Sequence, residues 1–210
     1  LGGSGEVVRN DSGGNQVRVS DNLSTLTVAA DQTIRGAGLI GANIGGYIND
    51  GTILQQGGTA LTLDPGTVDA DGSGANFVNN GVLRSEGSGG LTLNAGIYRN
   101  NAAIETTGGG DIFLSDSGVT IRGGDLTTSG GGAVRTNQIN NGAVLEDVRL
   151  TTGSEIALGN GHDIRLSNGM VNDGTISSTS AGGVNNIIFN NSMTLGGSGE
   201  VVLNDSTGNV

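Results

Sequence analysis

One full period of a repeated pattern occupies residues 77–101, which read FVNNGVLRSEGSGGLTLNAGIYRNN. An aromatic residue followed by paired asparagines opens the segment, and the same arrangement returns at Tyr98 after 21 residues. Between these points the glycine-rich stretch GSGG precedes the short apolar run LTL. Short apolar runs separated by Gly and Asn are typical of strands joined by tight turns. The segment therefore predicts several short strands per period.

The same pattern recurs along the chain as a bulky residue, a variable residue, two Asn or Asp positions and Gly. The matching segments are YINDG (47–51), FVNNG (77–81), YRNNA (98–102), QINNG (138–142) and MVNDG (170–174), with TIRGG (120–124) between the third and the fourth. Successive segments start 30, 21, 22, 18 and 32 residues apart. A second pattern keeps step with the first and reads GGTALTL, GSGGLTL, GGGDIFL and GGGAVRT, with GSEIAL as a weaker version.

Repetition at this period predicts a solenoid in which each repeat is one turn. The expected fold is all-β: a single-stranded right-handed parallel β-helix (β-solenoid) with about 20–30 residues per rung. Equivalent corner residues of neighbouring rungs should stack, as Asn79 on Asn100 and Asn80 on Asn101. Arg84 and Glu105 should lie side by side on the surface. The two long rungs, around 54–76 and 143–169, are expected to carry protruding loops.

The composition favours a narrow core. The 210 residues include 42 Gly, one Pro, three Phe, two Tyr, no Trp and no Cys. So few aromatic residues fill a thick two-layer core poorly, whereas stacked Val, Ile, Leu and Ala fill a narrow one. Tyr47, Phe77 and Tyr98 share one position of the repeat, which predicts that their rings stack inside the solenoid.

The charge balance excludes some partners. Twenty acidic residues against nine basic ones give a net charge of −11. A chain this acidic repels phosphate backbones, so no nucleic-acid partner is expected. No apolar run approaches the roughly 20 residues that cross a bilayer, so no direct membrane insertion is expected.

The two ends of the chain share a sequence. Residues 1–16 and 195–210 are identical at 13 of 16 positions, and both copies begin LGGSGEVV. We expect residues 1–210 to form one β-solenoid segment, a unit of about 194 residues in a longer tandem array. Flanking repeats of the same protein are then the expected partners.

Several phrases carry a resemblance to known proteins. They are INDGTI (48–53), VNNGVL (78–83), LTLNAG (91–96) and VNDGTI (171–176). In these phrases the chain resembles the repeat regions of filamentous-haemagglutinin-like exoproteins and autotransporter adhesins of bacteria. The resemblance implies a secreted or bacterial cell-surface location and a structural stalk or adhesin role without catalysis. It also implies contact with a glycan or protein on a host or neighbouring cell.

An alternative function is a glycan-binding or polysaccharide-degrading β-helix, similar to tailspikes and lyases. Glycoside hydrolysis needs two carboxylates held about 5–10 Å apart. The candidates are Asp69/Asp71 and Glu146/Asp147, either of which could meet a carboxylate of another rung, although solvated corner residues that keep an acidic rod soluble explain them more simply. His162, the one histidine, lies in the turn-like segment GNGHD and is expected at the surface.

The stretch DADGSG (69–74) has the spacing at which a calcium loop begins. Alternate oxygens of Asp69, Asp71 and Ser73 would converge on one cation, and Gly74 would permit the sharp bend. The twelfth position of such a loop is Asn80 and not the bidentate Glu that closes a tight site. These three residues are the metal-site candidates, calcium is the one candidate cofactor, and an ordinary polar loop is the other interpretation.

Overall fold

The computed structural model describes residues 1–115, 118–137 and 142–204. Within these ranges the chain forms strands, turns and irregular segments and no helix. It winds as a parallel β-solenoid of about eight turns, which confirms the predicted all-β parallel β-helix. Each turn, called a coil below, places strands on three faces that are numbered in chain order.

The three faces are built from short strands. Face 1 contains β1 (Gly5–Val8), β4 (Gln32–Gly36), β7 (Thr52–Gln55), β10 (Val82–Ser85), β13 (Ala103–Thr106), β16 (Asp125–Thr127) and β23 (Leu195–Gly196). Face 2 contains β2 (Gln16–Val17), β5 (Gly38–Ile40), β8 (Leu61–Leu63), β11 (Leu91–Leu93), β14 (Ile112–Leu114), β17 (Val134–Thr136), β19 (Glu155–Leu158), β21 (Thr175–Ser178) and β24 (Glu200–Leu203). Face 3 contains β3 (Thr25–Val28), β6 (Gly46–Asn49), β9 (Phe77–Asn79), β12 (Gly96–Asn100), β15 (Val119–Arg122) and β22 (Asn186–Phe189).

Two longer strands connect faces 3 and 1. β18 (Ala143–Leu150) and β20 (Asp163–Asn172) begin on face 3 and continue through the corner into face 1. The chain turns this corner at Asp147 and Asn168, whose φ angles are 55° and 60°. The left-handed region is more accessible to Asp and Asn than to most other residues, because their short side chains form local hydrogen bonds.

Every strand pair is parallel, and the register gives the length of each coil. The shortest step places Thr52 beside Thr33, 19 residues earlier, and the longest places Val82 beside Thr52, 30 residues earlier. Side chains alternate inward and outward, so inward residues of successive coils form ranks along the axis. One such rank on face 2 is fully buried and consists of Leu61, Leu91, Ile112, Val134 and Ile156.

The second sequence pattern predicts face 2 correctly. LTL at 61–63, LTL at 91–93, IFL at 112–114 and VRT at 134–136 are successive strands in direct register. The weaker version, GSEIAL, supplies the next strand through residues 155–158. The glycines before each run form the corner that precedes face 2.

The first pattern predicts face 3 correctly over three coils and is wrong beyond them. Tyr47, Phe77 and Tyr98 are in register, but Tyr98 pairs with Ile121, so TIRGG is one residue out of place. Residues 138–141 of QINNG lie outside the described residues, and the matching face 3 position belongs to 144–146. MVNDG begins on face 1. The pattern fails because β18 and β20 cross the corner without an Asn-Asn-Gly turn.

One of the two predicted protruding loops is present. Between β8 and β9 the chain leaves the solenoid, and residues 71–74 are exposed. The loop expected around 143–169 is wrong, because β18, β19 and β20 occupy that range with short connections. The apparent length came from taking QINNG and MVNDG as equivalent corners.

The repeated end sequence lies on two different faces. The first copy of GEVV forms β1 on face 1, where Gly5 pairs with Gln32. In the second copy Glu200 pairs with Thr175 on face 2. The segment TLGGSG (194–199), which overlaps the start of the second copy, begins on face 1, and so does the similar segment TIRGAG (33–38). The tandem array stays a prediction.

Candidate functional site

A ladder of buried asparagines runs inside the corner that follows face 3. Asn49 Nδ2 donates to Asn79 Oδ1, and Asn79 Nδ2 donates to Asn100 Oδ1, each at 2.8 Å. The second amide hydrogens bond backbone carbonyls of face 1, such as that of Ala103 at 3.0 Å. The predicted stacking of Asn79 on Asn100 is confirmed. Because each amide bonds the next coil, the ladder fixes the register between coils.

The ladder ends at Asn49. Val28 occupies the equivalent position of the preceding coil and offers no donor, and Asn49 Oδ1 has no hydrogen-bond partner in the described part of the chain. A buried carbonyl without a donor costs about 1–3 kcal/mol. The ladder is therefore specific to three coils.

Three aromatic rings stack beside the ladder, as predicted. The ring centroids of Tyr47 and Phe77 are 6.1 Å apart, and those of Phe77 and Tyr98 are 5.5 Å apart. The Tyr98 hydroxyl donates to the carbonyls of Leu63 and Asn94, both at 2.9 Å. Burial raises the pKa of Tyr98 well above its ordinary value, and the nearby Asp64 charge adds to the effect. These rings fill the core and are not available to stack on a sugar.

A second ladder runs along the outside of the same corner. Asn101 Nδ2 donates to Asn80 Oδ1, and Asn80 Nδ2 donates to Asp50 Oδ1, both at 2.7 Å. The predicted stacking of Asn80 on Asn101 is confirmed, and the ladder extends one coil further to Asp50. Because these amides are solvated, they add less to stability than the buried ladder.

Ion pairs also connect neighbouring coils. Arg84 Nε lies 2.5 Å from Glu105 Oε1, which confirms the predicted pair. Four more pairs follow the same rule: Arg35 with Glu6, Arg122 with Glu146, Arg135 with Asp111 and Arg149 with Asp173. Each is partly exposed and contributes about 0–1 kcal/mol. Together they use much of the basic charge in holding coils together.

The predicted calcium loop is a hydrogen-bonded turn. Asp69 accepts hydrogen bonds from the amides of Gly72 and Gly74 at 2.8 and 3.0 Å. Partial desolvation raises the pKa of Asp69, but hydrogen bonds from these backbone amides lower it. The net effect is a pKa below the ordinary value. Asp71 accepts a hydrogen bond from the Ser73 hydroxyl at 2.6 Å and forms an ion pair with Arg99. These carboxylates have partners without a cation, and calcium binding stays a prediction.

No group of three or more His, Cys, Asp and Glu residues that could hold a metal ion occurs in 1–115, 118–137 and 142–204. Within the same ranges no helix is long and apolar enough to cross a membrane.

An open groove follows the outer corner between faces 3 and 1. Two adjoining segments of about 350 and 550 Å³ share Gly124 and Asp125. The larger segment is lined by small and amide residues, including Asn80 and Asn101. The smaller one is lined by Asp125, Asp147, Arg149 and Met170, among others. The two carboxylates and the guanidinium in this groove can form hydrogen bonds with hydroxyl groups of a ligand.

The structure separates the proposed carboxylate pair 146/147. Glu146 Oε2 accepts a hydrogen bond from Arg122 Nε at 2.8 Å, and Glu146 Oε1 accepts one from Asn168 Nδ2 at 2.5 Å. Only Asp147 lines the groove, on the left-handed corner of β18. Of its neighbours there, Arg149 lies two residues further along β18, and Asp125 is brought beside Arg149 by the register of β16 with β18.

His162 lies on a turn, as predicted, but is only partly exposed. Its Nδ1 is 2.9 Å from the Thr136 carbonyl and 3.2 Å from the Thr136 hydroxyl of the preceding coil. This contact gives the ring a structural partner.

Sequence reasoning missed Arg9, the most buried cation. Its side chain is 7% exposed, and Nη2 donates to the carbonyls of Asn15 and Leu39 at 2.6 and 3.1 Å. Burial lowers the pKa of Arg9. Gly38 makes room for the guanidinium, because a Cβ there would collide with it. The sequence signal for this space is the pair of closely spaced glycines in TIRGAG (33–38), of which Gly38 is the second.

Comparison of the chain with protein-family models, with curated proteins and with solved structures found no match.

Proposed function

We propose that this chain is a structural stalk or adhesin segment of a large secreted or surface-anchored bacterial protein and carries no catalytic activity. The observation that carries the proposal is the coil-to-coil continuity of the side-chain ladders. The Asn49–Asn79–Asn100 ladder and the Tyr47–Phe77–Tyr98 stack lie along the axis and resist sliding of one coil on the next.

The dimensions support a spacer. About eight coils advancing by about 4.8 Å each make a rod on the order of 40 Å long. All described strand pairs are parallel and hydrogen-bonded between coils, so backbone hydrogen bonds hold the rod together along its axis. A net charge of −11 keeps such a rod soluble.

Force spectroscopy tests the stalk function. We expect a chain held at both ends to unfold at high force in steps of one or a few coils, because each coil contacts only its neighbours. The Asn79→Ala variant should lower the force for the central coils, and the exposed Asn80→Ala variant should not. Unfolding at negligible force, or equal effects of both variants, would contradict the proposal.

The groove between faces 3 and 1 favours a second candidate, binding or cleavage of an acidic-group-free glycan. Asp125, Asp147 and Arg149 offer hydrogen bonds to hydroxyl groups there. A panel of neutral polysaccharides, assayed for binding and for new reducing ends, distinguishes the two. The stalk or adhesin proposal expects no cleavage, whereas cleavage that is lost in Asp147→Asn would replace it with a polysaccharide-degrading function.

A further inference from the structure

Four asparagines of the chain are followed directly by glycine, and such a pair can react with itself. The pairs are 80/81, 141/142, 160/161 and 168/169. The glycine nitrogen can attack the side-chain amide carbon of the asparagine, because the attack closes a five-membered ring and glycine has no Cβ that obstructs the approach. The structure describes both residues of three of these pairs, since residue 141 lies outside the described residues.

The Asn80–Gly81 pair lies in a corner between two strands. β9 ends at Asn79 and β10 begins at Val82, so neither residue of the pair belongs to a sheet. Asn80 is exposed, and the Gly81 N–H donates no hydrogen bond within 1–115, 118–137 and 142–204. The nitrogen that would attack is therefore not occupied by an acceptor.

The side-chain amide of Asn80 is polarised by its neighbour in the outer ladder. Asn101 Nδ2 donates a hydrogen bond to Asn80 Oδ1 at 2.7 Å. A donor on a carbonyl oxygen stabilises the negative charge that nucleophilic attack places on that oxygen. The corner therefore combines a free nucleophile with an activated carbonyl carbon.

The other two described pairs are restrained. Gly161 donates its N–H to Asn185 Oδ1 at 2.6 Å, so the attacking nitrogen is occupied there, although Asn160 is exposed. Asn168 and Gly169 lie inside β20, which is paired with β18 on one side and with β22 and β23 on the other. Ring closure requires a rotation of the backbone, and pairing on both sides of a strand opposes such local opening. Exposure of the asparagine is therefore not the feature that distinguishes Asn80.

We propose that Asn80 is a site of self-modification, at which the chain converts its own asparagine into aspartate and isoaspartate without an enzyme. The Gly81 nitrogen forms a bond to Asn80 Cγ, the bond from Cγ to Nδ2 breaks, and the released nitrogen leaves as ammonia with the proton that Gly81 has lost. Water then opens the succinimide ring at either of its carbonyls and leaves a carboxylate. Nothing is oxidised or reduced, and water is the co-reactant.

The modification changes the outer ladder. Asn80 Nδ2 now donates to Asp50 Oδ1 at 2.7 Å, and in the aspartate product a carboxylate oxygen takes the place of this donor. A hydrogen bond between neighbouring coils is thereby replaced by two facing carboxylates, and like charges placed directly opposite on neighbouring strands are destabilising. The reaction should therefore loosen the outer corner, while the inner ladder from Asn79 to Asn100 keeps its hydrogen bond.

Peptide mapping by mass spectrometry in heavy-oxygen water tests the proposal, because ring opening incorporates an oxygen atom from water. Asn101 is the matched control, since it is exposed and belongs to the same ladder one coil later but is followed by Ala102. In the folded chain Asn80 should be converted at least about tenfold faster than Asn101 or Asn160. In the urea-unfolded chain Asn160 should react as fast as Asn80, because its attacking nitrogen is released. Equal rates at Asn80 and either control in the folded chain, or an Asn160 that stays slow in urea, overturn the proposal.

The Asn80→Asp variant reproduces one product and tests its effect on the ladder. Its denaturant midpoint should lie below that of Asn80→Ala, and added salt should narrow the difference because it screens the repulsion from Asp50. Asn101→Asp adds the same charge beside an amide and should lower the midpoint less. Equal midpoints of Asn80→Asp and Asn80→Ala at low salt would overturn the expected loosening. Neither experiment depends on the stalk function.

Discussion

At the scale of single residues, the buried and exposed amide ladders provide a matched comparison. Asn79 and Asn80 are adjacent, yet Asn79 is 1% exposed and Asn80 is solvated. Asn79→Ala removes the donor to Asn100 and the acceptor for Asn49, and we expect it to lower the free energy of unfolding by about 2–3 kcal/mol. Asn80→Ala should cost about 0.5 kcal/mol or less. Denaturant unfolding measures both, and similar losses would contradict the role of the inner ladder.

Tyr98 makes stability depend on alkaline pH. Its pKa is raised in the folded chain above the ordinary value of 10.0, so the unfolded chain loses this proton first. The stabilising contribution is complete below pH 10 and is lost as pH rises above it. Between about pH 9 and about pH 11, the free energy of unfolding should therefore fall less in the Tyr98→Phe variant than in the wild-type chain. Parallel pH slopes would show that burial of the hydroxyl has no such effect.

At the scale of strands and corners, glycine determines how closely coils approach. A Cβ on Gly81 would overlap the carbonyl oxygen of Gly51 in the preceding coil, whereas a Cβ on Gly58 would meet only Asp11 Oδ2 and Ser88 Oγ at 3.7 and 4.0 Å. Gly81→Ala should cost about 3 kcal/mol or more, and Gly58→Ala should be nearly neutral. Thermal unfolding compares them, and a stable Gly81→Ala chain would mean that the corner can widen.

The corner between faces 3 and 1 also shows what a repeat pattern can miss. Through Asn80 and Asn101 the chain turns with paired asparagines, but at Asp147 and Asn168 it turns on a single left-handed residue inside a continuous strand. Both kinds of turn lead the chain from face 3 into face 1. Because they differ in sequence, alignment of the Asn pairs assigned residues 143–169 incorrectly, and the groove residues Asp125 and Arg149 were not associated.

At the scale of the whole molecule, stability should fall from the centre of the solenoid to its ends. Each central coil has two neighbours, whereas β1 and β24 have one. Hydrogen exchange of the monomer should therefore be slowest in β9 to β18 and fastest in the first and last coils. Uniform protection in the monomer would indicate a cooperative unit that does not fray.

The amino-acid sequence by itself determined the parallel solenoid, the strands of face 2, the stacked rings of Tyr47, Phe77 and Tyr98, and the pairing of Arg84 with Glu105. These follow from local spacing, because a side chain in a solenoid meets its equivalent one period later. Only the tertiary structure decided that GEVV lies on face 1 in one copy and on face 2 in the other, and that Arg9 is buried. Coil lengths vary from 19 to 30 residues because loops and corners absorb the difference, so spacing in the sequence does not by itself assign a segment to a face. Arg9 is buried by carbonyls of Asn15 and Leu39, which meet it only when the coils are stacked.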